Sequence, residues 1–91
     1  MTEKLKLIIL KHDIGILSSE KDEYLKHLLE TSKMLMKRKG LKDEEDSEFD
    51  SLNIQYAAYL FRKRAGTETA MPEFLRRGIN DLLISQKARG L

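Results

Sequence analysis

The sequence predicts an all-α fold, a short N-terminal helix followed by three longer helices in a small bundle, and three observations predict it. Apolar residues recur at i, i+3, i+4 and i+7 in separate segments, the spacing that puts them on one face of a helix. Leu, Lys, Glu and Arg, all good helix formers, dominate, and the alternation of apolar and polar residues that marks a strand is missing. One proline and five glycines, at positions 15, 40, 66, 78 and 90, read as helix punctuation.

The first helix is expected over residues 2–12. Thr2 is its capping candidate, and Leu5, Ile8, Ile9 and His12 form the face that should dock, before a break at Asp13, Ile14 and Gly15. A helix this short cannot stand alone in water and must pack on the rest. Ser19 is the expected N-cap of the second helix, with Glu20, Asp22 and Glu23 in the first turn, where carboxylates meet the positive end of the helix dipole. Leu25, Leu28, Leu29, Ser32, Leu35 and Met36 form its buried stripe. Lys37, Arg38 and Lys39 close it, and Gly40 is the residue after the cap.

The third helix should begin near Asp46 or Ser47 and run to Ala65, with Gly66 ending it. Phe49, Leu52, Tyr56, Tyr59, Leu60 and Lys63 define one face, while Ile54, Ala57, Ala58 and Phe61 carry apolar character around the cylinder. A helix apolar on two sides needs two packing partners. One is expected to be the core and the other a second subunit, which makes Ile54, Ala58 and Phe61 candidate interface residues. Pro72 suits the first position of a fourth helix, whose stripe is Leu75, Ile79, Leu82, Leu83 and Gln86, with Phe74 beside it.

The 91 residues make one domain, residues 1–91, with a modest core. Chains of this size often gain further stability from a partner surface. Cysteine is absent, which removes disulfides and thiolate chemistry and fits a reducing cytoplasm. The longest apolar run, Leu7-Ile8-Ile9-Leu10, falls far below the ~20 residues of a membrane span and the ~7–15 of a signal-peptide core. A cytoplasmic location and no membrane partner are therefore expected.

Chemistry-bearing constellations are sparse. His12 and His27 are the two imidazoles, and neither sits in a metal-ligand pattern. The acidic run at 43–50 lacks the spacing of a calcium loop. Neither a glycine-rich phosphate loop nor a nucleophile elbow occurs. No catalytic residue, cofactor or metal is assigned, and the expectation is a non-enzymatic protein.

Charge is more informative. The net is +2, but residues 1–50 hold 10 Lys/Arg against 12 Asp/Glu, and residues 51–91 hold 7 against 3. Such asymmetry orients a subunit against a neighbour or toward nucleic acid. Candidate contact residues are the acidic Asp43, Glu44, Glu45 and Asp46, and the basic Arg62, Lys63, Arg64, Arg76 and Arg77. Arg62, Lys63 and Arg64 fall in a last helical turn, where the dipole favours cations. Arg76 and Arg77 fall near a helix start, where it does not, so Glu73, an acidic neighbour or phosphate should compensate. A turn joining helices three and four, with arginines early in helix four, also allows a helix-turn-helix DNA-binding regulator. Its readout set of Glu73, Phe74, Arg76, Arg77 and Asn80 is thin.

Three stretches carry a family resemblance. The first is the helix from Ser19 to Gly40, following a short helix that ends in Asp13-Ile14-Gly15. The second is Ile54-Gln55-Tyr56-Ala57-Ala58-Tyr59-Leu60-Phe61-Arg62-Lys63-Arg64, ended by Ala65-Gly66. The third is Met71-Pro72-Glu73-Phe74-Leu75-Arg76-Arg77-Gly78-Ile79-Asn80-Asp81-Leu82-Leu83. In the order of these features, over most of residues 2–88, the chain resembles the head–tail connector (head-completion, DNA-packaging adaptor) proteins of long-tailed double-stranded-DNA phages and their prophage copies. The resemblance implies a homo-oligomeric ring, about twelve copies in the virion, closed by head-to-tail contacts. The ring would sit under the portal protein, extend the DNA channel, and receive a head-closure or tail-completion protein. It would form in the host cytoplasm and end at the head–tail junction of the virion. The acidic and basic groups would then face a neighbouring subunit or, non-specifically, the packaged DNA. The chain stops soon after its last helix, whereas some relatives carry longer loops or tails.

Overall fold

The computed structural model describes residues 1–44, 46–67 and 70–90, and it folds as four helices. These are α1 (Glu3–Ile14), α2 (Asp22–Arg38), α3 (Ser47–Arg64) and α4 (Glu73–Ala88). The all-α expectation holds, and among the described residues there is no strand.

Local chemistry sets the helix ends. The Thr2 hydroxyl accepts the Leu5 N–H at 3.1 Å, and the Asp46 carboxylate accepts the Phe49 N–H at 2.8 Å, so each satisfies an otherwise orphaned first-turn donor. Past the end of α2, the Leu41 N–H donates to the Met36 carbonyl and Gly40 to Lys37, at 3.2 and 3.0 Å. This paired closure requires the left-handed backbone of Gly40, at φ 102°. α3 closes the same way, through Thr67 to Arg62 and Gly66 to Lys63.

Two ends differ from expectation. α2 begins at Asp22, and Ser19 does not cap it; the Ser19 carbonyl accepts the Asp22 N–H in a preceding turn, and Lys21 precedes the helix with no side-chain cap. Pro72 stands just before α4, not inside it, and its carbonyl accepts from Leu75 and Arg76 at 3.1 Å each.

α3 is the central element, with one apolar cluster on each of two opposite faces. On one face Phe49, Leu52, Tyr56 and Tyr59 pack with Leu75, Ile79 and Leu82 of α4, Met36 of α2 and Leu41 of the connector. On the other, Ile54, Ala57 and Ala58 pack with Leu7 and Leu10 of α1 and Leu25, Leu28 and Leu29 of α2. At ~100° per residue the two sets stand on opposite sides of the α3 cylinder, so α1 and α4 are the outer helices on opposite sides. Gly78 allows close approach of α4, since a Cβ there would lie 2.6 Å from Leu52 Cδ2. Gln86, buried on α4, holds the α2–α3 connector by donating to the Lys42 carbonyl at 2.7 Å and accepting the Lys42 N–H at 2.9 Å.

The two-sidedness of α3 is thus resolved inside the chain, which corrects the interface expectation. Ile54 and Ala58 are buried beneath α1 and α2 and have no surface to offer a partner, and Phe61 is half-buried against Tyr24.

The orientation of α1 is a second correction. The face expected to dock, Leu5, Ile8, Ile9 and His12, points outward, with the three aliphatic residues 37–46% exposed. The docked face carries Lys6, Leu7 and Leu10. Lys6, only 2% exposed, is the reason. Its ammonium lies 2.8 Å from Asn53 Oδ1 and 3.2 Å from Asp50 Oδ1, both on α3. Asn53 in turn donates to Ser32 Oγ at 2.6 Å and to the Leu29 carbonyl at 3.0 Å. Asp50 also meets the Met1 ammonium at 3.2 Å. α1 is therefore pinned to α2 and α3 by a charged, hydrogen-bonded anchor flanked by Leu7 and Leu10.

Candidate assembly interface

The bundle sorts the sequence's charged candidates to its two ends. α3 has 18 residues, about 27 Å at 1.5 Å per residue. Arg62, Lys63 and Arg64 close it at one end, where the turn to α4 also brings Arg76 and Arg77. Asp43, Glu44 and Asp46 of the connector lie at the other end, together with Lys37, Arg38 and Lys39 of α2.

At the acidic end the candidates have different roles. Asp43 pairs with Lys33 at 3.2 Å, and its hydrogen bond holds the Lys33 ammonium above the usual lysine value, against the opposing effect of burial. Asp46 is the α3 cap, Glu44 is exposed, and Glu45 lies outside the described residues. Asp50, grouped by sequence with this run, is buried in the anchor of α1. The local signal for that role was a lysine set inside the otherwise apolar run from Leu5 to Leu10.

At the basic end Arg62 reaches across to α1, 3.2 Å from the Asp13 carbonyl and 3.7 Å from its carboxylate. Lys63 lies over the Tyr59 ring, 5.8 Å from its centre, within the range of a cation–π contact. The Tyr59 ring also neighbours Tyr56, whose phenol is raised above its ordinary value chiefly by burial. Arg64 is exposed and, with Lys21, flanks a cleft of about 370 Å³ formed by the tilted Tyr24–Phe61 pair. Arg76 and Arg77 share Glu73, at 3.9 and 3.2 Å. That carboxylate is the compensation the helix start requires, and the three side chains keep a net of +1.

Apolar surface remains on both outer helices. α1 shows Leu5, Ile8 and Ile9, and Leu17 follows beside them in a shallow cleft with Ile8, Lys11, His12 and Ile16. α4 shows Phe74 and Ile84, 65% and 66% exposed, on the stripe Phe74, Arg77, Asp81, Ile84 that faces away from α3. Among the described residues no helix is long and apolar enough to cross a membrane. Comparisons with protein-family models, with curated protein sequences and with solved structures each give no match.

Proposed function

We propose that this protein is a structural subunit of a head–tail connector, a ring under the phage portal that extends the DNA channel and joins head to tail. The observation that carries this reading is the placement of two unlike apolar patches on opposite sides of α3, one on α1 and one on α4. A subunit that associates through two different surfaces builds head-to-tail contacts, which close into a ring when the rotation between copies allows. The basic end supports the second half of the reading. Arg62, Lys63, Arg64, Arg76 and Arg77 gather at one end of the bundle with Glu73 and Asp13 as the acidic partners they contact. Cations gathered at one end suit a loose, sequence-independent contact with passing DNA. A portal protein and a head-closure protein are the partners above and below.

Light scattering across a wide concentration range, followed by negative-stain microscopy with and without portal, tests the reading. Rings or salt-sensitive self-association are expected. A strict monomer that also fails to bind portal overturns it.

A further inference from the structure

We infer that the cleft between the start of α2 and the end of α3 binds single-stranded nucleic acid. One unpaired base rests against Tyr24 and Phe61, and the phosphates on either side of it meet Lys21 and Arg64. This goes beyond the connector reading, whose DNA contact is with the outside of a duplex and uses no base.

Shape and charge agree on that occupant. The two ring centres are 6.5 Å apart and the ring planes meet at 53°, so neither ring covers the face of the other and the pair forms an open wedge. Both side chains are half-buried against the cluster shared by α1, α2 and α3, and what they leave uncovered lines a cleft of about 370 Å³ together with Ala65. That volume falls within the ~300–1,000 Å³ of small-ligand sites, and an aromatic face stacks with any base. Cations stand on both walls, Lys21 from the start of α2 and Arg64 from α3. Arg62, Arg76 and Arg77 each hold a carboxylate and Lys63 lies over the Tyr59 ring. Lys21 and Arg64, in contrast, have no ion-pair or ring partner among the described residues. Of the neighbouring carboxylates, Lys11 holds Asp22 and Lys26 holds Glu23. Glu20 is exposed beside Lys21 but does not line the cleft, whose described lining carries two cations and no carboxylate. A nucleotide within a strand matches this pattern, because a phosphate leaves each side of the sugar that bears the base. An acidic peptide would use the cations but not the flat ring faces between them. A duplex fails for the opposite reason, its bases being stacked on one another and closed to the rings.

The test uses the full chain and a short labelled oligodeoxyadenylate, read by fluorescence anisotropy at low salt, with a duplex of equal length and polyglutamate as competitors. Oligoriboadenylate run in parallel shows which sugar is preferred, and binding of either strand supports the cleft. Tyr24→Leu and Phe61→Leu keep apolar volume and remove a ring face. Each should weaken binding about tenfold, with circular dichroism confirming the fold. Lys21→Gln and Arg64→Gln should each lower the slope of log affinity against log salt by about 0.7, the value for one phosphate of a single strand. Tyr24→Trp gives the chain its only tryptophan. Its emission should be quenched by the oligonucleotide and not by polyglutamate, which decides the matter even where a leucine variant fails to fold. Undiminished binding in both folded leucine variants, or an unquenched tryptophan, overturns the inference. So does a duplex or polyglutamate that competes as well as the single strand, or no binding of either strand at low salt. Ring formation is read by microscopy and depends on none of these outcomes, so the connector reading is judged separately.

Discussion

α1 and α4 hold equivalent places, outermost on opposite faces of α3, yet they are fastened by different physics. α4 buries a continuous apolar stripe, Leu75, Ile79 and Leu82, ending in Gln86, whose amide makes two hydrogen bonds to the Lys42 backbone. α1 buries Leu7 and Leu10 around a lysine whose ammonium is held by Asp50 and Asn53. Burial of apolar area is non-directional and tolerates small shifts. A desolvated charge is held to a narrow geometry, because leaving it unpaired costs several kcal/mol. The anchor decides which of two apolar faces of α1 goes inward, and the losing face becomes surface.

The largest effect should come from breaking that anchor. Asp50→Ala leaves the Lys6 ammonium buried with reduced compensation and should cost about 3–5 kcal/mol in urea unfolding. The double substitution Lys6→Met/Asp50→Leu should recover most of the loss, since an apolar pair of similar volume replaces the ions. If the double variant is no more stable than the single, packing and not charge fastens α1. On the α4 side a smaller change is expected. Gln86→Ala unsatisfies the Lys42 N–H and carbonyl and should cost about 1–3 kcal/mol, read in the same assay. A loss as large as that of Asp50→Ala would erase the distinction between the two helices.

The same contrast explains what the sequence made legible. In α2 and α4 the apolar residues of one stripe outnumber those elsewhere on the helix, so periodicity identified the buried stripes, Leu25, Leu28 and Leu29 on one and Leu75, Ile79 and Leu82 on the other. The Thr2 cap was legible because its side chain bonds within three residues, and the start of α3 was placed at Asp46 or Ser47, where Asp46 is the cap. α1 was misread because Leu5, Ile8 and Ile9 outweigh Leu7 and Leu10 in any count of apolar residues, and the deciding contacts of Lys6 lie 44 and 47 residues away. Ile54 and Ala58 were assigned outward for the converse reason: sequence showed that α3 needed two partners, but not that α1 and α2 would jointly supply the second. Among the charged candidates, Glu73 as the counter-ion of Arg76 and Arg77 was legible from i+3 and i+4 spacing. The pairing of Asp43 with Lys33 was not, because it depends on how the connector folds back on α2.

α1 turns its Lys6 face into the core and its Ile8 face to solvent, and the Ile8 face is the one proposed to meet another copy. The melting temperature of Ile8→Ser against the wild type, measured from high dilution to high concentration, addresses both parts at once. At dilution the two should melt together, with a difference within about 0.5 kcal/mol, as for a surface substitution. As concentration rises the wild type should gain stability by mass action while Ile8→Ser does not follow. A variant that melts far below the wild type at every concentration would contradict the account, because Ile8 would then belong to the core.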